Sequence, residues 1–257
     1  MYKNLSIKNS YLITEAVDLH KKGTLDKAKE VYDKILKRDP ANTEVLKLSA
    51  IIEIQLNNYS QALNYINKSI KTNNTIAELY SIKGISLKNL KRYDEALSNF
   101  QKAIEIDRNF VDAYFNMSSV YQIKNELKKS LDNLYEVIKI DVNNYKAFSN
   151  IAFIKIKQSQ YHEALKNLEK AININPNYLN AYLLRGNVYK ELKNIEKSLS
   201  DYDKVISVDD INLNSLYYDA KFNKSQLLLS IQKFSEGWKL YESRFNLKNY
   251  YKQKIDS

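Results

Sequence analysis

The sequence predicts an all-α protein built from stacked pairs of antiparallel helices, on the strength of three observations. The 257 residues include only four glycines and two prolines, where average usage gives roughly 18 and 13, so turn-rich β folds are disfavoured. Apolar residues recur at helical spacing in short stretches separated by polar breaks. Small and bulky residues recur every 34 residues, which indicates a repeated unit that stacks on its neighbours.

Four columns of residues, each with a step of 34, define this repeat. The first small column is Ala16, Ala50, Gly84, Ser118, Ala152 and Gly186, and the second small column is Ala28, Ala62, Ala96, Ser130, Ala164 and Ser198. The first bulky column is Leu12, Leu46, Tyr80, Tyr114, Phe148 and Tyr182, and the second bulky column is Tyr32, Ile66, Phe100, Leu134, Leu168 and Tyr202. Four columns in phase over six units make chance an implausible explanation of the pattern.

Each unit is expected to be two short helices joined by a tight turn. In the third unit the spacing predicts one helix from Ala77 to Leu90 and a second from Tyr93 to Ile106, with Lys91-Arg92 between them. A small residue in each helix lets the two backbones approach, and bulky residues a turn or two away fill the space around that contact. One pair cannot bury its apolar face alone, so the pairs must stack.

The period divides the chain into a lead-in at 1–8, seven units at 9–244 and a C-terminal tail or capping segment at 245–257. The units begin near residues 9, 43, 77, 111, 145, 179 and 218. The second-helix pattern of the seventh unit comes five residues late. We therefore expect a five-residue insertion at 213–217, as a longer first helix or a longer connection.

The fourth unit, Val111 to Asn144, shows the pattern of a known family. Its signature residues are Tyr114, Ser118, Tyr121, Leu127, Ser130 and Leu134. In these positions the chain resembles the tetratricopeptide repeat family, and the resemblance extends from about Asn9 to Arg244. It implies a right-handed superhelical solenoid in which the first helix of each unit lines a concave groove. It also implies a scaffold that binds proteins or peptides in that groove.

The last unit adds a second resemblance. The segment Phe234 to Arg244 looks like a variant final repeat that often precedes a glycosyltransferase-like domain in bacterial proteins, and only Phe245 to Ser257 follow it here. An alternative function is therefore the acceptor-recognition arm of a glycosyltransferase similar to O-linked N-acetylglucosamine transferases, with the catalytic domain absent from this chain.

The composition offers little for catalysis, so we expect no enzyme activity, no cofactor and no metal. There is no cysteine, and the two histidines, His20 and His162, lie far apart, which excludes thiolate chemistry and disfavours a histidine metal site. The four glycines occupy positions that the repeat uses and do not cluster into a phosphate-binding loop.

Charge and hydropathy bear on partners and location. The formal net charge is +10, but basic residues are mixed with acids along the chain, which disfavours nucleic acid as the partner. Residues 1–10 lack the apolar region of a secretory signal, and no run approaches the ~18 apolar residues of a membrane span. We expect a cytoplasmic protein without a membrane span, monomeric unless exposed terminal repeats self-associate.

The resemblance assigns a peptide-binding groove to the first helices. The predicted groove residues are Lys88, Phe115, Asn116, Gln122, Asn150, Phe153, Lys157, Asn187, Lys190, Phe222 and Asn223. The lysines favour a protein or peptide partner with acidic segments. The paired lysines and asparagines of carboxylate-clamp repeats are not found in register, so a heat-shock cochaperone is disfavoured.

Three of these residues, Asn116, Asn150 and Asn223, hold the same slot in their units once the insertion is removed. They resemble the asparagine ladder of the O-linked N-acetylglucosamine transferases. Since a side-chain amide both donates and accepts hydrogen bonds, such a ladder holds a peptide by its backbone. The alternative interpretation is that asparagine is simply common in this chain.

Overall fold

The structure, a computed structural model, describes residues 2–208 and 214–242, and of residues 2–10 and 214 it describes the backbone alone. The described residues form fourteen helices and no strand. These are α1 (Tyr2–Lys21), α2 (Leu25–Arg38), α3 (Thr43–Gln55), α4 (Tyr59–Thr72), α5 (Ala77–Asn89), α6 (Tyr93–Ile106), α7 (Val111–Ile123), α8 (Leu127–Ile140), α9 (Tyr145–Lys157), α10 (Tyr161–Ile174), α11 (Leu179–Glu191), α12 (Ile195–Ile206), α13 (Asn214–Ser230) and α14 (Phe234–Tyr241). The predicted all-α fold class is confirmed.

The chain divides into two compact parts, an N-terminal body (Met1–Glu136) and a C-terminal body (Val137–Ser257). In the N-terminal body α1 packs on α2, α3 on α4 and α5 on α6. In the C-terminal body α9 packs on α10, α11 on α12 and α13 on α14. Each of these pairs except α13–α14, after which no helix is described, also contacts the helix that follows it, so the helices of each body form a nearest-neighbour stack.

A tight turn with one residue in the left-handed backbone region joins the two helices of each of these six pairs and also joins α7 to α8. These residues are Gly23, Asn57, Lys91, Asn125, Ser159, Lys193 and Gln232, with φ between 57° and 76°. The next residue donates its N–H to a carbonyl five positions earlier, as from Arg92 to Leu87 at 2.9 Å. This is the Schellman arrangement, which satisfies a free carbonyl at the end of the first helix.

The spacing of these turns supports the proposed repeat boundaries. The left-handed residues follow one another at steps of 34 as far as Lys193, and Gln232 comes five residues later than the next step. Helix α13 has 17 residues, whereas α3, α5, α7, α9 and α11 have 13 each. We propose that the extra residues of 213–217 lengthen α13, although Leu213 itself lies outside the described residues.

The two ends of the chain bear on the other expected boundaries. Helix α1 begins at Tyr2, so residues 2–8 of the expected lead-in have a helical backbone. The tail expected at 245–257 lies outside the described residues.

The small and bulky columns meet inside the helix pairs. Ala96 and Ala164 are 0% exposed, as the columns predict, and so are Phe100 and Tyr202 of the second bulky column. The two small columns also touch, because Ser130 Oγ donates to the carbonyl of Ser118 at 2.9 Å and Ser198 Oγ to that of Gly186 at 2.8 Å. Close backbone approach therefore positions each first helix against its second helix.

Candidate peptide-binding surface

The eleven predicted groove residues all lie on first helices, and we call them the first-helix surface. The buried residues of α7 are Ala113, Met117, Ser118 and Val120. The same helix leaves Phe115, Asn116 and Gln122 half-buried. Within the N-terminal body α3 contacts α5 and α5 contacts α7, and within the C-terminal body α9 contacts α11 and α11 contacts α13. Each body therefore contains neighbouring first helices with polar and aromatic side chains that are not fully buried in the core.

Lys88 and Asn116 contact each other in the N-terminal body. Lys88 Nζ donates to Asn116 Oδ1 at 3.1 Å and so links α5 to α7. Asn116 Nδ2 donates to the backbone carbonyl of Asp112 at 2.9 Å. Burial lowers the pKa of the Lys88 ammonium group. No ion pair between Lys88 and an acidic side chain is found in the described part of the chain.

Lys47, on α3, has a different environment. Its Nζ lies 2.9 Å from Glu78 and 3.1 Å from Glu44, and its side chain is 16% exposed. Burial opposes the charged form, yet hydrogen bonds with the two glutamates leave the pKa of Lys47 raised. The charge of Lys47 is thus neutralised within the protein, unlike that of Lys88.

Phe153 and Lys157 lie together on α9 in the C-terminal body. Lys157 Nζ lies 4.9 Å from the centroid of the Phe153 ring, within the range of a cation–π contact. Phe153 is half-buried and Lys157 is exposed. The pair therefore presents an apolar face with a positive charge above it.

Asn187 and Asn223 form a second contact in the C-terminal body, between α11 and α13. Asn223 Nδ2 donates to Asn187 Oδ1 at 3.0 Å, and the hydroxyl of Tyr202 donates to the same oxygen at 2.8 Å. One N–H of Asn223 is therefore used inside the protein. The expected asparagine ladder stays a prediction. At Asn223, only one side-chain N–H is left to donate to a bound peptide.

The remaining members of the first-helix surface are less connected. Phe222 packs against Tyr241 of α14 with ring centroids 5.7 Å apart. Four residues are half-buried, and no hydrogen bond, ion pair or ring contact is described between them and another member of the surface: Phe115, Gln122, Asn150 and Lys190. The structure thus brings together three pairs among the eleven predicted residues.

Comparison with known families agrees with the repeat and its packing. Models of the tetratricopeptide repeat match residues 19–83, 77–110 and 179–212, and a model described as a TPR repeat matches residues 154–193. The chain is a tetratricopeptide repeat protein. The helices of each body stack as in the all-α solenoid of that family, and the resemblance to glycosyltransferase-linked repeats is not confirmed by these matches.

Solved structures similar to this tetratricopeptide repeat protein support the same fold. MamA is 26% identical, with a TM-score of 0.55, over 62% of this chain and 93% of MamA. PilF of Pseudomonas aeruginosa is 16% identical, with a TM-score of 0.71, over 83% of this chain and 96% of PilF. A tetratricopeptide repeat protein of Parabacteroides merdae is 14% identical, with a TM-score of 0.68, over 93% and 97%. No curated protein sequence gives a significant match.

Proteins made of tetratricopeptide repeats are typically interaction scaffolds without catalysis of their own, and the repeats of this chain support an interaction scaffold. Among residues 2–208 and 214–242 there is no group of three or more histidine, aspartate or glutamate side chains placed to hold a metal ion. Nor does this part of the chain contain a helix with the length and apolar character needed to cross a membrane.

Sequence reasoning missed a charged pair inside the repeat. Arg185 on α11 makes two hydrogen bonds to Asp201 on α12, at 2.7 and 2.8 Å, and Asp201 is only 4% exposed. This hydrogen bonding raises the pKa of the Arg185 guanidinium despite its burial. The Arg185 guanidinium carbon, Cζ, also lies 5.4 Å from the centroid of the Tyr182 ring. The residues are 16 positions apart, so no local spacing signals the pair, which fastens a helix pair of this tetratricopeptide repeat protein.

Proposed function

We propose that this tetratricopeptide repeat protein is a non-catalytic scaffold that binds an extended segment of a protein partner along its first-helix surface, used as a concave groove. The observation that carries the proposal is that neighbouring first helices contact each other in each body and leave amides, aromatic rings and lysines half-exposed. An extended segment has unpaired backbone N–H and C=O groups, and side-chain amides both donate to and accept from such groups.

The chemistry of the surface favours a partner with acidic and apolar residues. Phe115 and Phe153 offer apolar contact area, and Lys157 holds a positive charge above the Phe153 ring. Lys88 and Lys190 add positive charge that attracts acidic segments and speeds encounter. Nucleic acid is disfavoured because the basic residues are mixed with acids. Binding of nucleic acid would weaken steeply as the salt concentration is raised, so a salt titration tests for nucleic-acid binding.

Three finer expectations belong to the same proposal. The absence of catalysis rests on the composition, which has no cysteine and only two distant histidines. A cytoplasmic location and a monomeric state rest on the sequence alone. Self-association through a terminal helix pair would appear as a concentration-dependent mass in analytical ultracentrifugation.

The test is an affinity pull-down with wild type and a variant carrying Asn116→Ala, Asn150→Ala and Phe153→Ala. The matched control carries Asn133→Ala and Asn167→Ala on the second helices α8 and α10. Each control amide donates to a carbonyl four residues earlier, at 2.8 Å, much as Asn116 does at 2.9 Å. The control therefore removes similar local hydrogen bonds from the other side of the pairs.

A supporting result is a partner that is captured by wild type and control, is lost from the triple variant, and binds purified protein directly. For such a partner we expect the Kd of the triple variant to be at least about tenfold higher than that of wild type. This change in Kd corresponds to a loss of about 1.4 kcal/mol of binding free energy. Equal capture by the triple variant would contradict the proposal. Loss of the partner from the control alone would move the binding surface to the second helices.

The acceptor arm of a glycosyltransferase is the second candidate, and α14 provides the observation in its favour. Phe234 and Trp238 are each 56% exposed on this last described helix. Two exposed aromatic side chains on one helix offer apolar surface that another domain can cover. The test is to identify proteins that co-purify with the chain but not with a Trp238→Glu variant. A nucleotide-sugar transferase among them would favour this candidate, and its absence would leave the scaffold proposal alone.

A further inference from the structure

Asp219, on α13 in the C-terminal body, is a half-buried carboxylate for which no hydrogen bond or ion pair is found in the described part of the chain. Every other buried or half-buried aspartate or glutamate in that part has a hydrogen bond or an electrostatic interaction. Burial raises the pKa of Asp219, because water that would solvate the charge is partly excluded. The negative charge of Asp219 is therefore not neutralised by the described residues.

The two lysines that follow Asp219 on the same helix interact with other groups. Lys221 Nζ lies 4.3 Å from the centroid of the Tyr217 ring, within the range of a cation–π contact. Lys224 Nζ forms an ion pair with Asp203 of α12. Helix α13 thus carries basic residues, but their positive charges do not pair with Asp219.

The repeat shows why this carboxylate lacks a lysine. In the N-terminal body, Lys47 of α3 lies 2.9 Å from Glu78 of α5. The corresponding positions of the sixth and seventh units, at the step of 34 and with the five-residue insertion counted, hold Leu183 and Asp219. Leu183 is 7% exposed and belongs to the same buried cluster as Ala220, the residue next to Asp219. The acid of this position is therefore present, and its lysine is replaced by an apolar residue.

The next turn of α13 offers a second acceptor. Asn223 Nδ2 donates to Asn187 Oδ1 at 3.0 Å, and no donor to Asn223 Oδ1 is found among the described side chains. Asn223 follows Asp219 by four positions, so the amide oxygen and the carboxylate lie on one face of the helix. Phe222, three positions after Asp219, is half-buried beside them. Two acceptors therefore lie close to an aromatic ring.

We propose that Asp219 and Asn223 bind one basic side chain, a lysine or an arginine, of the partner segment. The proposal rests on the proposed function, because it names a residue type that the segment carries where it crosses α13. An ammonium or guanidinium group donates charge-assisted hydrogen bonds to the two oxygens, and it neutralises the partly buried carboxylate. Phe222 offers apolar surface to the hydrocarbon part of such a side chain. The bound cation takes the place that Lys47 has beside Glu78.

The experiment selects peptides from a random library displayed on phage, with the purified full-length chain as the target. Each lysine and arginine of a selected peptide is replaced by methionine in turn, and Kd is measured for wild type, Asp219→Asn and Asp112→Asn. Asp112 holds the corresponding position of α7 but is exposed, so Asp112→Asn is a matched control for the loss of one negative charge. Because Asp219→Asn removes a charge that burial disfavours, we expect it to be at least as stable as wild type in thermal unfolding.

The expected result is a lysine or arginine at one fixed position of the selected peptides. Its replacement by methionine should raise Kd about tenfold for wild type and for Asp112→Asn, the value of one charge-assisted hydrogen bond. The same replacement should leave Kd nearly unchanged for Asp219→Asn, because the carboxylate that binds the cation is then absent.

Leu183→Lys provides a second test of the same site. It supplies a lysine at the position that corresponds to Lys47, so this lysine should pair with Asp219 inside the protein and compete with the cation of the peptide. Replacing the basic residue of the peptide by methionine should then change Kd less than it does for wild type. Thermal unfolding checks that Leu183→Lys is folded, and Asp219→Asn decides the question alone where it is not.

Other outcomes overturn the site in distinguishable ways. The basic-side-chain site is contradicted by peptides without a preferred basic residue, by an unchanged preference in Asp219→Asn, or by an equal loss of preference in Asp112→Asn. If such peptides still bind the variant with Asn116→Ala, Asn150→Ala and Phe153→Ala more weakly than wild type, the proposed function stands. Failure to select any peptide contradicts the proposed function, and the site is overturned with it.

Discussion

Tyr32 and Tyr202 occupy the same bulky column at opposite ends of the repeat array, yet their hydroxyl groups meet different surroundings. Both side chains are 0% exposed. The Tyr202 hydroxyl donates to Asn187 Oδ1 at 2.8 Å. The Tyr32 hydroxyl has no hydrogen-bond partner among the described residues. A buried hydroxyl without a partner costs free energy, whereas a paired one contributes modestly to stability.

Replacing each tyrosine by phenylalanine should therefore have opposite effects. Tyr202→Phe is expected to lower the free energy of unfolding by about 1 kcal/mol, because it removes a buried hydrogen bond. Tyr32→Phe is expected to leave that free energy unchanged or raise it by up to about 1 kcal/mol. Urea unfolding followed by circular dichroism measures both, and an equal loss in the two variants would show that Tyr32 has a partner.

The same two residues make stability depend on alkaline pH. Burial raises the pKa of Tyr32 and of Tyr202 to about 12, from the ordinary tyrosine value of 10.0. Since the folded pKa lies above the unfolded value, the protonated phenol contributes stability that is fully present below pH 10 and is lost as the pH rises towards 12. The double Tyr32→Phe, Tyr202→Phe variant should lose less free energy of unfolding between pH 10 and 12 than wild type. Equal slopes would contradict the assigned burial.

At the scale of the element, the turn between the two helices of a pair has the same backbone conformation throughout the chain, although different residue types occupy it. The left-handed position holds glycine at Gly23 and residues with a side chain at the six other turns. A residue with a Cβ atom strains this conformation, by about 1–2 kcal/mol for an ordinary side chain. The repeat tolerates that strain because the Schellman hydrogen bonds and the packed helices on either side determine the turn.

The effect of substitutions at the left-handed position on the free energy of unfolding should depend on this backbone strain. Gly23→Ala is expected to cost about 1 kcal/mol through the backbone alone, because an added Cβ would meet no atom within 4 Å. Lys193→Gly is expected to raise the free energy of unfolding by about 0.5–1 kcal/mol, the strain relieved less the entropy that glycine adds to the unfolded chain. Thermal unfolding measures both, and loss of stability in Lys193→Gly would indicate a side-chain contact that the strain argument omits.

The first small column and the second bulky column are matched in size within most helix pairs. An added Cβ at Gly84 would lie 2.5 Å from Phe100 Cε1, and one at Gly186 would lie 2.8 Å from Tyr202 Cε1. Where the bulky residue is aliphatic, the small residue is alanine or serine, as in Ala50 with Ile66, Ser118 with Leu134 and Ala152 with Leu168. Ala16 with Tyr32 is the exception. The small residue of the first helix and the bulky residue of the second helix therefore fill a space of nearly constant volume between the two helices.

This matching predicts a double-mutant coupling. Gly84→Ala gains about 1 kcal/mol of helix propensity but overpacks the contact with Phe100 by about 1–3 kcal/mol, so a net loss is expected. Phe100→Leu alone should also destabilise, by leaving space. The double variant should be more stable than the sum of the two losses predicts, by about 0.5–3 kcal/mol of coupling. Additive losses in denaturant unfolding would show that Phe100 moves aside at no cost.

At the scale of the whole molecule, the sequence predicts the helix pairs far better than the surface chemistry. The columns follow from close backbone approach, which only a small residue at Ala96 or Ala164 allows, and this constraint repeats at every pair. Side-chain partners on neighbouring helices obey no such period. Asn223 pairs with Asn187, and Lys88 with Asn116, through contacts 36 and 28 positions apart. The first-helix residues were therefore predictable, but their hydrogen bonds were not.

The stack also predicts that stability is uneven along the molecule. A solenoid is stabilised by contacts between neighbouring units, so a terminal pair loses the contribution of one neighbour. Helix α14 has eight residues, packs on α13, and leaves Phe234 and Trp238 each 56% exposed. Short helices with few buried contacts open at lower free energy than central ones. We therefore expect the last described pair to unfold before the helices in the middle of the chain.

Trp238, the only tryptophan in the chain, reports on this pair. Its ring centroid lies 5.4 Å from that of Tyr241, so opening of α14 should change its fluorescence. We expect the fluorescence midpoint in urea to fall below the midpoint of helix content from circular dichroism. The control carries Trp238→Phe and Tyr182→Trp, which moves the reporter to α11, and there the two midpoints should approach each other. Coincident midpoints in wild type would mean that the last described pair unfolds together with the rest of the described helices.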